Sequence, residues 1–237
     1  MPGYTRQQLK HDRFTDATQG AASWAAGHQK KVAIAVGAVI LLAAVLAGGW
    51  YYFDRQNEQA SVALGKAVRT FQSQLRAPGS PERPGALTFE SAEARGKQAQ
   101  KEFLEVAERY PYTRTAEVAR FLAGVAAIDA GDKATAEREL KAAAGSRRED
   151  LAALAKMALA AFYHSGGRDA DALALYDQLI AHPTASVSKT AALLAKAEML
   201  EAKQPAEAAK VYQQIKTEDP NGPIGRLAQD RLTNPRK

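Results

Sequence analysis

Val32 to Phe53 is a run of 22 residues without one charged side chain. As a helix rising about 1.5 Å per residue it would reach roughly 33 Å, the thickness of a bilayer's hydrocarbon layer. This run constrains the chain most, because hydrocarbon offers a backbone no hydrogen bonds and only a helix or a closed barrel supplies its own. Lys30 and Lys31 precede the run and can reach lipid phosphates. Trp50, Tyr51, Tyr52 and Phe53 close it, and such rings favour the headgroup layer. A core helix of a soluble protein seldom stays uncharged over this length. A cleaved export signal has an apolar stretch of about 7–15 residues after a short basic start. Here 31 residues come first, although the small residues around Ala47 resemble a cleavage site. The expectation is a permanent tether.

Charge then sets the orientation. Residues 1–31 carry five Lys/Arg against two Asp/Glu. A basic flank of that kind is retained in the cytoplasm, so the part beyond the run is expected outside it, in the periplasm of a Gram-negative cell. Arg55, Lys66 and Arg69, just past the run, weigh the other way. Three parts follow: a cytoplasmic basic tail over 1–31, a transmembrane helix over 32–53 and a domain over 54–237 on the far side. In the tail, Phe14, Ala17, Ala21, Trp24 and His28 fall at helical spacings, which fits either an amphipathic helix under the membrane or a tail without fixed structure. Ala33–Gly37 and Ala44–Gly48 are small pairs four apart, as at some packed membrane interfaces, and leave self-association open. The large part is nearly neutral, with 27 Lys/Arg against 24 Asp/Glu. It has no basic stripe interleaved with aromatics, so nucleic acid is not an expected partner. The absence of cysteine excludes disulfides, thiolate metal sites and a nucleophilic thiol.

Beyond Asp54 the pattern is helical and alanine-rich. Leu64, Ala67, Val68, Phe71 and Leu75 form one stripe, which predicts a helix from the membrane to about Arg76. The segment from Ala77 to Thr88 holds three prolines and two glycines and predicts a loop. Then a unit recurs. Ala99, Ala136, Ala172 and Ala208 are spaced by 37, 36 and 36, and each is followed four residues later by Phe103, Leu140, Tyr176 or Tyr212. Pro111, Pro183 and Pro220 close three of the units, and Gly131 and Gly167 each stand five residues before the alanine of their unit. A small residue lets two helices approach, the large one fills the groove beside it, glycine allows the tight turn and proline stops the helix. A period near 36 therefore predicts stacked helical hairpins, an all-α solenoid, with Pro220 onward forming a polar-faced capping helix.

These residues resemble the tetratricopeptide repeat. Ala160, Tyr163, Gly167, Ala172, Tyr176 and Pro183 match one unit, and Gly124, Gly131, Ala136 and Leu140 match another in part. The first unit departs, its two helices being separated by the Pro-rich loop, and the repeats lack tryptophan. The whole layout, with "LKHDRF", Trp24 and His28 before the span, resembles the bacterial ancillary subunit of the Sec translocon. That resemblance implies a single-pass inner-membrane protein whose outer domain hands emerging chains to soluble chaperones. Its partners would be translocon subunits, periplasmic chaperones or exported chains. A second stretch, Glu102 to Gly124, looks like repeats in periplasmic proteins of outer-membrane assembly and envelope constriction, which implies an assembly adaptor instead.

No constellation for catalysis stands out. His11 and His28 lie in the tail, and His164 and His182 suit helix C-termini, where the dipole favours a cation. "GSRRED" reads as a solvated turn, and "SGGRD" has no strand before it, as a phosphate loop would require. Neither enzyme activity nor a cofactor or metal is expected. What remains is a binding surface. The first helices of such hairpins line the inner face of the stack, and the candidates there are Phe121, Val125, Met157, Tyr163, Leu193 and Leu200, some of which must serve the core. An apolar groove suits an unfolded segment or a partner helix. Self-assembly of the repeats is the structural alternative.

Overall fold

The computed structural model describes residues 26–77 and 87–234. Nine helices run through them: α1 (Gln29–Phe71), α2 (Ala92–Arg109), α3 (Arg114–Asp129), α4 (Lys133–Ala144), α5 (Glu149–Ser165), α6 (Asp169–Ala181), α7 (Lys189–Glu201), α8 (Pro205–Glu218) and α9 (Pro223–Thr233). Between α1 and α2 lies a two-residue parallel pair, β1 (Gln74–Leu75) and β2 (Thr88–Phe89). The chain divides into two compact units, Met1–Arg55 and Gln56–Lys237. Phe14, Ala17, Ala21, Trp24 and most of the Pro-rich segment lie outside the described residues.

In the first unit, α1 leaves its apolar side chains uncovered. Ile34 is 72% exposed, Leu41 70% and Trp50 77%. The most apolar 18-residue window of α1 has a mean hydropathy of 2.6 and is 0% buried, so this helix is long and apolar enough to cross a membrane.

In the second unit the helices pack in chain order as antiparallel hairpins. The last turns of α1 pair with α2, α3 with α4, α5 with α6 and α7 with α8, while α9 covers the end of the stack. The repeating alanines explain the close approach. Ala99, Ala136 and Ala172 are 0% exposed and Ala208 2%. Their partners Phe103 and Leu140 are 0% exposed, Tyr176 4% and Tyr212 3%. Burying such a side chain contributes about 1.5–3 kcal/mol, and one recurs in every hairpin. Glycine goes further where backbones nearly touch. A Cβ added at Gly96 would stand 2.7 Å from the Ala130 nitrogen, and one at Gly124 would stand 2.8 Å from Leu140 Cγ.

The turns repeat as faithfully as the helices. Gly131 and Gly167 have φ of 74° and 77°, the left-handed region where L side chains are strained. The Asp132 amide bonds the Ala127 carbonyl at 2.9 Å, and the Arg168 amide bonds the Tyr163 carbonyl at 2.8 Å, the same wrapping bond 36 residues on. Side chains cap the helix starts. Ser91, Thr113, Asp132 and Ser188 each accept the amide three residues ahead. Pro205 and Pro223 open α8 and α9, where a missing amide hydrogen costs nothing. Pro111, Pro183 and Pro220 each stand two residues past a helix end.

One difference from the sequence reading stands out. α1 stops at Phe71 rather than near Arg76, because the chain leaves the helix to pair Leu75 with Phe89, and the Arg76 amide bonds the Phe89 carbonyl at 2.7 Å. The Pro-rich segment lies between α1 and α2 in the chain, and the two helices pack together across it. Ala67, Phe71, Ala99 and Phe103 share one cluster, and the Thr70 hydroxyl donates to Glu102 at 2.7 Å.

Candidate protein-binding surface

Bonds between hairpins fix the frame of this surface. Gln100 on α2 donates to Asp132 in the next turn at 2.8 Å. Arg168 in the α5–α6 turn donates to Glu137 on α4 at 2.9 Å, and Lys203 in the α7–α8 turn donates to Asp169 on α6 at 2.6 Å. Each tie joins the second helix of one hairpin to the turn of the next. The Glu137 site is the densest. Lys141 bonds the same carboxylate at 2.7 Å, and the Tyr163 hydroxyl donates to it at 3.1 Å. Arg168 also lies over the Tyr163 ring, 3.9 Å from its centre. Lys141 first and Arg168 next hold the Glu137 carboxyl down to about 2. Asp169 is likewise lowered, by Lys203 and then His164, whose Nδ1 is 2.7 Å away.

The six candidates divide. Phe121 and Val125 on α3 and Met157 on α5 are half-buried and pack against one apolar cluster, so the structure brings these three together at the surface of the stack. Tyr163, Leu193 and Leu200 are 5%, 1% and 5% exposed. They belong to the interior of that cluster and offer a partner nothing as the chain stands. Phe121, Met157 and Leu193 occupy the same repeat position, 36 residues apart. The position is half-open in two hairpins and closed in the third, where Leu193 lies in the cluster with Ile215 and Ala228.

The structure also adds residues. On α3, Val118, Leu122 and Val125 form a half-exposed strip at spacings of four and three. Moving on 36 residues gives Leu154, Ala158 and Ala161 on α5, of which Leu154 is 38% exposed. The strip is apolar throughout, so it would hold an apolar side chain by burial rather than by charge. The signal that could have found it was the repeat period itself, applied to residues on the first helix as well as the second.

Among the described residues no group of three or more His, Asp or Glu side chains is placed to hold an ion. His182 caps α6 through its amide, which bonds the Gln178 carbonyl at 3.0 Å. Buried tyrosines are held protonated. Burial raises the Tyr176 hydroxyl, and burial with the Glu201 hydrogen bond at 2.6 Å raises that of Tyr212.

A family model described as a tetratricopeptide repeat-like domain matches residues 24–185. No curated protein and no solved structure matches the chain. Domains of the matched kind mediate protein–protein interactions and are typically non-enzymatic scaffolds.

Proposed function

Because the chain belongs to the tetratricopeptide repeat-like domain family, we propose that it is a membrane-anchored scaffold that binds proteins outside the cytoplasm, ancillary to the Sec translocon and to chaperone handover. On this reading α1 crosses the inner membrane once over 32–53, the tail stays in the cytoplasm, and the repeat domain faces the periplasm. The observation that carries the binding role is the apolar strip repeated on α3 and α5, exposed on a frame stiffened by inter-hairpin ties. Its chemistry suits an exported segment that is not yet folded, or an apolar helix of a chaperone.

A photocrosslinking amino acid at Val125 or Ala161, used in intact membranes, tests this. Adducts with translocon subunits, periplasmic chaperones or exported chains support it. Adducts with outer-membrane assembly proteins would favour the envelope-adaptor reading, and adducts with copies of the chain alone would favour a self-assembling scaffold.

A further inference from the structure

The hairpins put two sets of loops at opposite ends of the repeat domain. Turns within hairpins gather at one end, and loops between hairpins gather at the other. Arginines at the two ends behave differently. At the first end, Arg95 pairs with Asp129, Arg168 with Glu137, and Arg231 approaches Glu201 at 3.8 Å. At the second end stand Arg109, Arg114, Arg147, Arg148 and Arg226. Among the described residues none of these five has a carboxylate within 4.0 Å. Three of them meet neutral groups instead. Arg148 donates to the Arg114 carbonyl at 3.4 Å, Arg226 donates to the Asn221 carbonyl at 2.7 Å, and Arg109 lies over the Tyr110 ring.

The acids nearby are engaged elsewhere. Glu117 accepts from Ser146 at 2.9 Å, and Asp150 accepts the Ser186 amide at 3.0 Å. Glu108 and Glu149 remain beside the arginines and temper the charge. In the first of these loops, Tyr112 is 86% exposed, the most exposed large aromatic among the described residues. The chain enters the repeat domain at this same end. The Ser61 and Thr115 hydroxyls are 3.4 Å apart, and Gln56, the first residue of the unit, is three residues in sequence from Phe53.

We propose that this end, with Arg109, Arg114, Arg147, Arg148 and Tyr112, rests on the headgroup layer of a bilayer. The arginines bind phosphate oxygens of anionic lipids, and the tyrosine ring enters the interface. The inference rests on the membrane-anchored reading above. On that reading the entry end is within short chain reach of the lipid, since Gln56 follows Phe53 by three residues and three residues span at most about 10 Å. Unpaired guanidinium groups beside an exposed tyrosine are what such a surface selects.

The natural absence of cysteine makes a clean test. Full-length protein carrying a nitroxide at Tyr112→Cys is placed in nanodiscs of phosphatidylcholine with or without phosphatidylglycerol. Accessibility to a water-soluble paramagnet is then measured, with labels at Lys133→Cys (opposite end) and Leu41→Cys (in the span) as references. The expected result is protection at 112 but not at 133, greater with the anionic lipid. Each of Arg114→Gln, Arg147→Gln and Arg148→Gln should weaken the anionic-lipid component about fivefold at low salt. Equal accessibility at 112 and 133 in both lipids would overturn the proposal, provided that the label at 41 is buried in lipid. A label at 41 open to water would overturn the anchoring reading itself. Inorganic phosphate that competes at millimolar concentration, with no preference for the lipid, would mark a free-anion site and also overturn the proposal.

Discussion

At the scale of single residues, the turn glycines and the Glu137 carboxylate decide most. Gly131 and Gly167 sit at positive φ with open space where a Cβ would go, so alanine there meets backbone strain and no clash. Gly167→Ala should cost roughly 1–2 kcal/mol, read as a lower denaturation midpoint with an unchanged urea slope. Glu137 titrates near 2 when folded and near 4.5 when unfolded. Its stabilising contribution is therefore full above about pH 4.5 and is lost as the pH falls toward 2. In Glu137→Gln the stability should change less steeply across that acid window, which unfolding at stepped pH values would reveal. The turns were legible in the sequence, since glycine five residues before the repeat alanine has one conformational use. The ion-pair hub was not, because Glu137 comes from one hairpin and Tyr163 and Arg168 from the next, and no local pattern brings them together.

At the scale of elements, the apolar strip on α3 and α5 is the part of the surface to test first. Val125→Glu combined with Ala161→Glu places two charges at half-exposed and exposed sites, and both are tolerated by a helix. The variant should keep the parental melting temperature to within a few degrees and lose capture of an unfolded client in a pull-down. Loss of fold together with capture would assign these residues to packing instead. Helical spacing shows which residues share a face, but not which neighbour covers that face. That is why Leu193 looked equivalent to Phe121 and Met157 while the structure buries it. The extent of α1 beyond the apolar run was legible from its stripe. Its end was not, because β1 borrows its partner from residues on the far side of the Pro-rich segment.

At the scale of the whole molecule, the proposed anchoring has two direct readouts. Detergent should release the protein from membranes, while high salt or alkaline wash should not; release by salt alone would exclude the span. Protease added after opening the outer membrane should digest the repeat domain and spare the basic tail. The reverse pattern would invert the orientation. The overall architecture was the most legible level, because an uncharged run of 22 residues and a period of 36 are each long-range signals that few folds satisfy.

The matching turns at Gly131 and Gly167 also make the hairpins interchangeable parts. A gene lacking codons 132–167 would join Gly131 to Arg168, so one left-handed glycine would hand the chain to the continuation of the other. α3 would then close directly onto α6, giving a stack one storey shorter with no seam in its backbone. Circular dichroism and cooperative melting of that shortened protein would show it, and in-frame loss or gain of whole storeys is the route by which such a chain can change its reach during evolution.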